Sequence, residues 1–221
     1  MRTVIAGGHG QIALRLERLL AARGERPAGI IRRPEQAQDL VDAGAEPLLL
    51  DLEAATATQL AGLLTGADAV VFAAGAGPGS GAARKNTVDR DAAVLLADAA
   101  ELAGVRRYVM VSTMAADAAA HHPDEVFEAY LRAKGAADDA VRSRTALDWT
   151  VLRPGRLTDG PGTGLVRLAP SVDRGTVDRA DVAAVLAAVL HEPRTAGLTL
   201  ELVAGNTTVE EAVAAAAGHD G

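Results

Sequence analysis

Short apolar runs alternate with stretches whose apolar residues recur every three or four positions, and the alternation continues along most of the 221-residue chain. The short runs predict strands over 3–6, 28–31, 47–50, 69–73, 108–112, 149–152 and 198–203. Between them, helical spacing places Ile12, Leu16, Leu19 and Leu20 on one stripe and Val182, Val185, Leu186, Val189 and Leu190 on another. Asp178 and Asp181 precede the second stripe as a helix-start signal, because an acidic cap satisfies free backbone donors. Repeated strand-helix units predict an α/β fold: a doubly wound parallel sheet of about seven strands with helices on both faces. The least regular stretches are 75–85, 115–125 and 155–175. All three follow strand carboxyl ends, where such sheets place ligands.

Composition narrows this picture. The length fits one domain spanning 1–221, with 155–175 and the C-terminal elements forming a small substrate region. Hydrophobic residues make up 49% and aromatic residues 2%, so the core must be built from Ala, Val, Leu and Ile, as suits buried parallel strands. A net charge of -7 speaks against a nucleic-acid partner or an anionic membrane surface, which require a clustered positive field. The expected partner is a small-molecule substrate. The absence of cysteine removes disulfides, thiolate metal sites and Cys nucleophiles. The chain enters a strand directly, without a signal-peptide pattern, and no later apolar run approaches a membrane span, so a soluble cytoplasmic protein is expected.

The candidate chemistry starts at Gly7-Gly8-His9-Gly10-Gln11-Ile12-Ala13, which follows the first strand and opens the first helix. Glycines there permit a tight turn and close backbone approach, while the helix N-terminus directs unpaired amides at a pyrophosphate. Gly7 and Gly10 supply a GxxG spacing, Ala13 replaces a third glycine, and His9 is expected to line the phosphates. The turn makes the sheet Rossmann-like and predicts a dinucleotide. After the second strand come Arg32 and Arg33, where an NAD site would offer a carboxylate to the ribose hydroxyls. Two guanidiniums favour NADP(H) over NAD(H). Asp51 and Leu52 suit an adenine edge, and Ala73, Ala74 and Gly75 a backbone passing beside the cofactor.

Tyr130 and Lys134 lie four residues apart, on one helix face. There a Lys can favour the phenolate and orient a ribose, while the Tyr exchanges a proton with a carbonyl or alcohol. Other polar residues carry less. His121 and His122, with Asp124 and Glu125, complete no ligand spacing, so no metal is expected. Asp138, Asp139 and Asp148, like Asp89 and Asp91, form no defined carboxylate pair and read mostly as solvated faces. Trp149 opens an apolar strand.

The order of glycine turn, Ser112-Thr113, Tyr130 to Lys134, and Arg153-Pro154-Gly155 resembles the short-chain dehydrogenase/reductase superfamily. More closely it is similar to the atypical, NmrA-like branch of NAD(P)H-binding and epimerase-like proteins, with Asp89 and the segment from Val177 to Ala183 also matching. The resemblance implies that Tyr130 is the acid/base, that Lys134 binds ribose, that Thr113 polarises the substrate oxygen, and that Ser112 is its strand-end neighbour. Pro154 and Gly155 would flank the cofactor. Asp89 stands where the extended branch has Asn, adding a negative charge that opposes a phenolate if ionised and close. The implied activity is hydride transfer between NADP(H) and a small organic carbonyl or alcohol. Three alternatives accompany it: an NADP-sensing regulator without turnover, a nucleotide-sugar epimerase or dehydratase, and a flavin- or biliverdin-type reductase. Only 66 residues follow Gly155, which leaves limited material for a large sugar-nucleotide domain.

Overall fold

A computed structural model describes residues 1–77, 80–81 and 84–218. Seven strands lie parallel in the order β3 (Glu46–Leu49), β2 (Arg26–Ile31), β1 (Arg2–Ala6), β4 (Ala69–Phe72), β5 (Arg107–Val111), β6 (Asp148–Pro154) and β10 (Leu198–Ala204). These are the seven predicted strands, within a residue or two at each end. The sheet does not stop there. β8 (Leu165–Ala169) adds antiparallel to β10 and β11 (Thr207–Thr208) antiparallel to β8, giving nine strands rather than seven. A separate parallel pair joins β7 (Arg156–Thr158) to β9 (Thr176–Asp178), so the stretch read as irregular over 155–175 contains two strands, β7 and β8. Of the stretch 75–85, residues 78–79 and 82–83 lie outside the described residues.

Successive side chains of a strand face opposite sides, so β1 sends Val4 and Ala6 to one apolar layer and Ile5 to the other. One layer carries α3 (Ala57–Leu63), α4 (Ala92–Ala103) and α5 (Glu125–Arg142); the other carries α1 (Gln11–Ala22), α6 (Arg179–Leu190) and α7 (Val209–Ala217). The short helix α2 (Ala37–Asp42) closes over the end of β2 through Leu40. Among the described residues, no helix is long and apolar enough to cross a membrane.

Two polar features depart from the sequence expectations. Asp178 occupies the residue before α6 but makes no capping bond. Its carboxylate instead accepts from Thr158 and from the Gly160 and Gly162 amides, while Asp181 accepts from Thr163 and Gly164. Both acids therefore hold the 159–164 loop by accepting its backbone donors. On α1 the buried stripe is Ala13, Leu16, Glu17 and Leu20, whereas Leu19 is exposed.

Glu17 is fully buried and neither carboxyl oxygen has a hydrogen-bond partner; Oε1 fills the space that a Cβ on Gly29 would occupy, 2.5 Å away. Burial raises its pKa to about 8 against a weaker opposing pull from Arg18. The folded protein thus keeps a proton that the unfolded chain releases near 4.5. Stability should fall as pH rises through that window, by an amount on the order of 5 kcal/mol, and level off above it. Thermal melts should show Glu17→Gln gaining stability relative to the unsubstituted protein between about pH 4.5 and about pH 8, with no further divergence above that. Parallel pH curves would exclude Glu17 as the source.

Candidate active site

Chain order reverses between β1 and β4, and the crevice beyond their carboxyl ends is where the predicted residues converge. Gly7 turns the chain with φ +83°, and a Cβ there would lie 2.6 Å from the Ala74 backbone. The Gly10 amide donates to Gly7 O at 2.8 Å, closing the turn. Gly10 then precedes α1 without any side-chain cap, so the first amides of the helix remain available to an anion. Gly8 serves packing: its amide donates to Ile30 O, and its Cα lies against Gly29.

This turn forms one wall of a cavity of about 310 Å³, whose lining includes Gly7, His9, Gly10, Arg32, Asp51 and Leu52. His9 is held from α2 and the turn before it, through Asp39 Oδ2 at 2.6 Å and Gln36 Nε2 at 3.1 Å. The two predicted arginines separate. Arg32 reaches the cavity, whereas Arg33 turns outward toward Glu35 at 3.8 Å. Glu53 and Arg84, which no sequence motif marks, also line it. Arg84 Nη2 lies 2.8 Å from Glu53 Oε2, and the Glu53 pKa is lowered chiefly by that hydrogen bond. Gln11 faces solvent, so among the turn residues it contributes only its place at the head of the helix.

A second cavity, of about 500 Å³, shares Ala73, Ala74 and Gly75 with the first, so the two are continuous past the end of β4. Its lining brings together Ile12, Asp89, Ser112, Tyr130 and Lys134, with Val126, Phe127 and Leu157 as apolar wall. Thr113 is absent from this lining. β5 ends at Val111, and strand alternation turns Ser112 toward α5 and the cavity while the next residue turns away. Pro154 and Gly155 line neither cavity; Pro154 O accepts from Met114 N, and Gly155 packs against Gly175. They belong to the frame, because β6 continues into β7 there rather than opening onto the crevice.

Lys134 is 4% exposed, and its Nζ donates to Val111 O at 3.1 Å, lies 3.4 Å from Asp89 Oδ1 and sits 5.4 Å above the Phe72 ring. Asp89 is 1% exposed, and its other oxygen accepts from Ala76 N at 3.3 Å. It is therefore no solvated face: it comes from a π-helical turn (Lys85–Asp91) and neutralises the buried ammonium. Removing one partner would strand the other charge in the core. Asp138 is likewise fully buried, paired with Arg153 Nη2 at 2.7 Å. Burial raises its pKa, opposed by the neighbouring Ser112 hydroxyl and then by Arg153. Ser112 Oγ itself is buried beside the Asp138 carboxyl without a well-formed hydrogen bond to it. Tyr130 packs 6.0 Å from Phe127, and Lys85 Nζ lies 5.2 Å from its ring centroid. His122 stacks edge-on to Phe127, and the Asp124 carboxylate caps α5 through the Val126 and Phe127 amides. Asp139 and Asp148 pair at the surface with Arg142 and Arg106.

The uncapped helix start, the glycine cradle that a Cβ would fill and the linked cavities fit a nicotinamide dinucleotide. Together with the strand order they define a Rossmann-type NAD(P)H-binding protein. The chain belongs to the NAD(P)H-binding family, whose model matches residues 7–193, and lies in the atypical branch of the short-chain dehydrogenases/reductases. It is 35% identical over 217 residues to the uncharacterized sugar epimerase YhfK of Bacillus subtilis, covering 96% of this chain and 99% of that one. A candidate NAD-dependent epimerase/dehydratase from Bacillus halodurans superposes with a TM-score of 0.89 at 33% identity, covering 97% of this chain and 99% of the other. The oxidoreductase ylbE from Lactococcus lactis gives a TM-score of 0.87 at 26% identity, over 100% and 99% of the two chains.

Proposed function

We propose that the protein is an NADPH-dependent oxidoreductase that moves hydride between NADP(H) and a small organic carbonyl or alcohol. The observation that carries this reading is the shared cavity wall of Ser112, Tyr130 and Lys134, continuous through Ala73 to Gly75 with the glycine-turn cavity. Gly7, Gly10 and the head of α1 would hold the pyrophosphate, Asp51 and Leu52 the adenosine end, and Ala73 to Gly75 the backbone passage between cavities. When bound, the nicotinamide supplies the hydride.

The protein's part is to place the carbonyl and to supply the proton. Tyr130 donates its hydroxyl proton to the carbonyl oxygen as that oxygen gains charge. Ser112, whose buried hydroxyl lies beside the Asp138 carboxyl at the cavity wall, donates a hydrogen bond to the same oxygen and takes the role that the family resemblance implies for Thr113. Lys134 donates one N–H to Val111 O and faces Asp89 Oδ1 as an ion pair without a hydrogen bond, which leaves N–H donors for a ribose hydroxyl. Asp89 then acts first on Lys134, positioning it, before any effect on Tyr130.

The names of two relatives, a sugar epimerase and an epimerase/dehydratase, favour a second reading, epimerisation, for which the family resemblance implies a sugar nucleotide as substrate. A cavity of about 500 Å³ walled by Val126, Phe127 and Leu157 suits a small, partly apolar substrate better than a sugar nucleotide with its many hydroxyls. Kinetics separate the readings. NADPH absorbance should fall in proportion to product with at least one acceptor among ketones, aldehydes, quinones and flavins. An epimerase would convert substrate without net loss of cofactor, and a sensor would bind NADPH and oxidise none.

A further inference from the structure

Resting on the NADPH reading, we propose that Arg84 joins Arg32 in seating the 2′-phosphate of the cofactor, and that Glu53 is an internal anion holding that seat until the phosphate displaces it. The two arginines reach the cofactor cavity from different elements, Arg32 from the end of β2 and Arg84 from the stretch before the π-helical turn. Their guanidiniums nevertheless converge on one atom. Arg84 Nη2 is 2.8 Å and Arg32 Nη1 3.5 Å from Glu53 Oε2, while Thr87 Oγ1 donates to Oε1 at 2.8 Å. Two guanidiniums gathered on one carboxylate leave an excess positive charge, with the Thr87 hydroxyl as a further donor beside them. They match the several oxygens and double charge of a phosphate monoester.

The pairing is also placed for exchange. The Arg84 side chain is 41% exposed, that of Arg32 46% and that of Glu53 27%, so the cluster stands at the cavity mouth in contact with water. Ion pairs in such a setting are weakly held. An incoming phosphate offers both guanidiniums a better partner, and Glu53 can turn to solvent. Position along the chain extends the consequence. Arg84 and Asp89 bracket the same short segment, so the residue that would grip the ribose phosphate is five positions from the one that holds Lys134.

Equilibrium binding of 2′,5′-ADP, 5′-AMP, NADPH and NADH, followed by calorimetry on the whole chain, tests the seat without turnover. The unsubstituted protein should prefer 2′,5′-ADP over 5′-AMP and NADPH over NADH. Arg84→Met should weaken the phosphorylated ligand of each pair by about tenfold or more and leave the other within about twofold, with Arg84→Lys intermediate. Glu53→Gln should tighten the phosphorylated ligands severalfold. If the unsubstituted protein prefers NADPH but Arg84→Met weakens all four ligands equally, or none, the seat is not at Arg84. Selective loss of NADH and 5′-AMP in Glu53→Gln would make Glu53 a reader of ribose hydroxyls and overturn its role as placeholder. A preference of the unsubstituted protein for NADH would instead refute the NADPH reading itself.

Discussion

Replacing Tyr130 by phenylalanine is expected to lower turnover by roughly a thousandfold while the affinity for NADPH stays within about twofold. The substitution isolates one atom. Among the described residues the Tyr130 hydroxyl has no hydrogen-bond partner, so its removal leaves no buried group unsatisfied, and the ring's contacts with Phe127 and Lys85 survive. Steady-state rates with an accepted substrate, set beside a fluorescence titration of NADPH, measure both quantities. Equal losses in rate and affinity would make Tyr130 a wall of the site instead of its proton donor. The same change at Lys134 would be harder to interpret, because it would leave Asp89 buried without its cation.

Replacing Gly7 by valine should abolish cofactor binding, weakening NADPH by at least about a hundredfold. Two costs combine at this residue. Its φ of +83° is one that a β-branched residue resists, and the new Cβ would lie 2.6 Å from the Ala74 Cα, in the wall common to both cavities. Gly24 provides the control, since it has φ +75° and a Cβ added there would meet nothing within 4 Å. Gly24→Ala should cost about 1 kcal/mol of stability for the left-handed backbone and leave binding unchanged. Calorimetric titration with thermal melts separates the two effects; undiminished binding in Gly7→Val would show that the turn does not approach the cofactor.

The central strands β1, β4 and β5 were legible because they are buried on both faces and therefore read as continuous apolar runs, as in Ala69-Val-Val-Phe72. β8 was hidden although Leu165 to Ala169 alternates buried and exposed positions, because Gly160, Pro161, Gly162, Gly164 and Pro170 around it read as loop. β7, β9 and β11 are two or three residues long and carry no period. The site divides in the same way. Gly7, Gly10, Tyr130 and Lys134 follow local spacing, and the structure brings them to one crevice. Glu53 and Arg84 meet only through the crossover from β3 to the segment after β4, and no spacing in the chain announces a contact between residues 31 positions apart. Glu17 and Asp138 look like ordinary helix-surface acids until the sheet and its neighbours cover them.

Hydride transfer from NADPH in the Tyr130 cavity is tested most directly with NADPH carrying deuterium at the reactive nicotinamide carbon, the label being followed by mass spectrometry of product and cofactor. With an accepted carbonyl substrate, one deuterium should appear on the product's alcohol carbon for each NADP formed, and Tyr130→Phe should slow its appearance without changing where it goes. Product formed without the label, or NADPH that binds and keeps its deuterium against every acceptor, would contradict hydride transfer at this site.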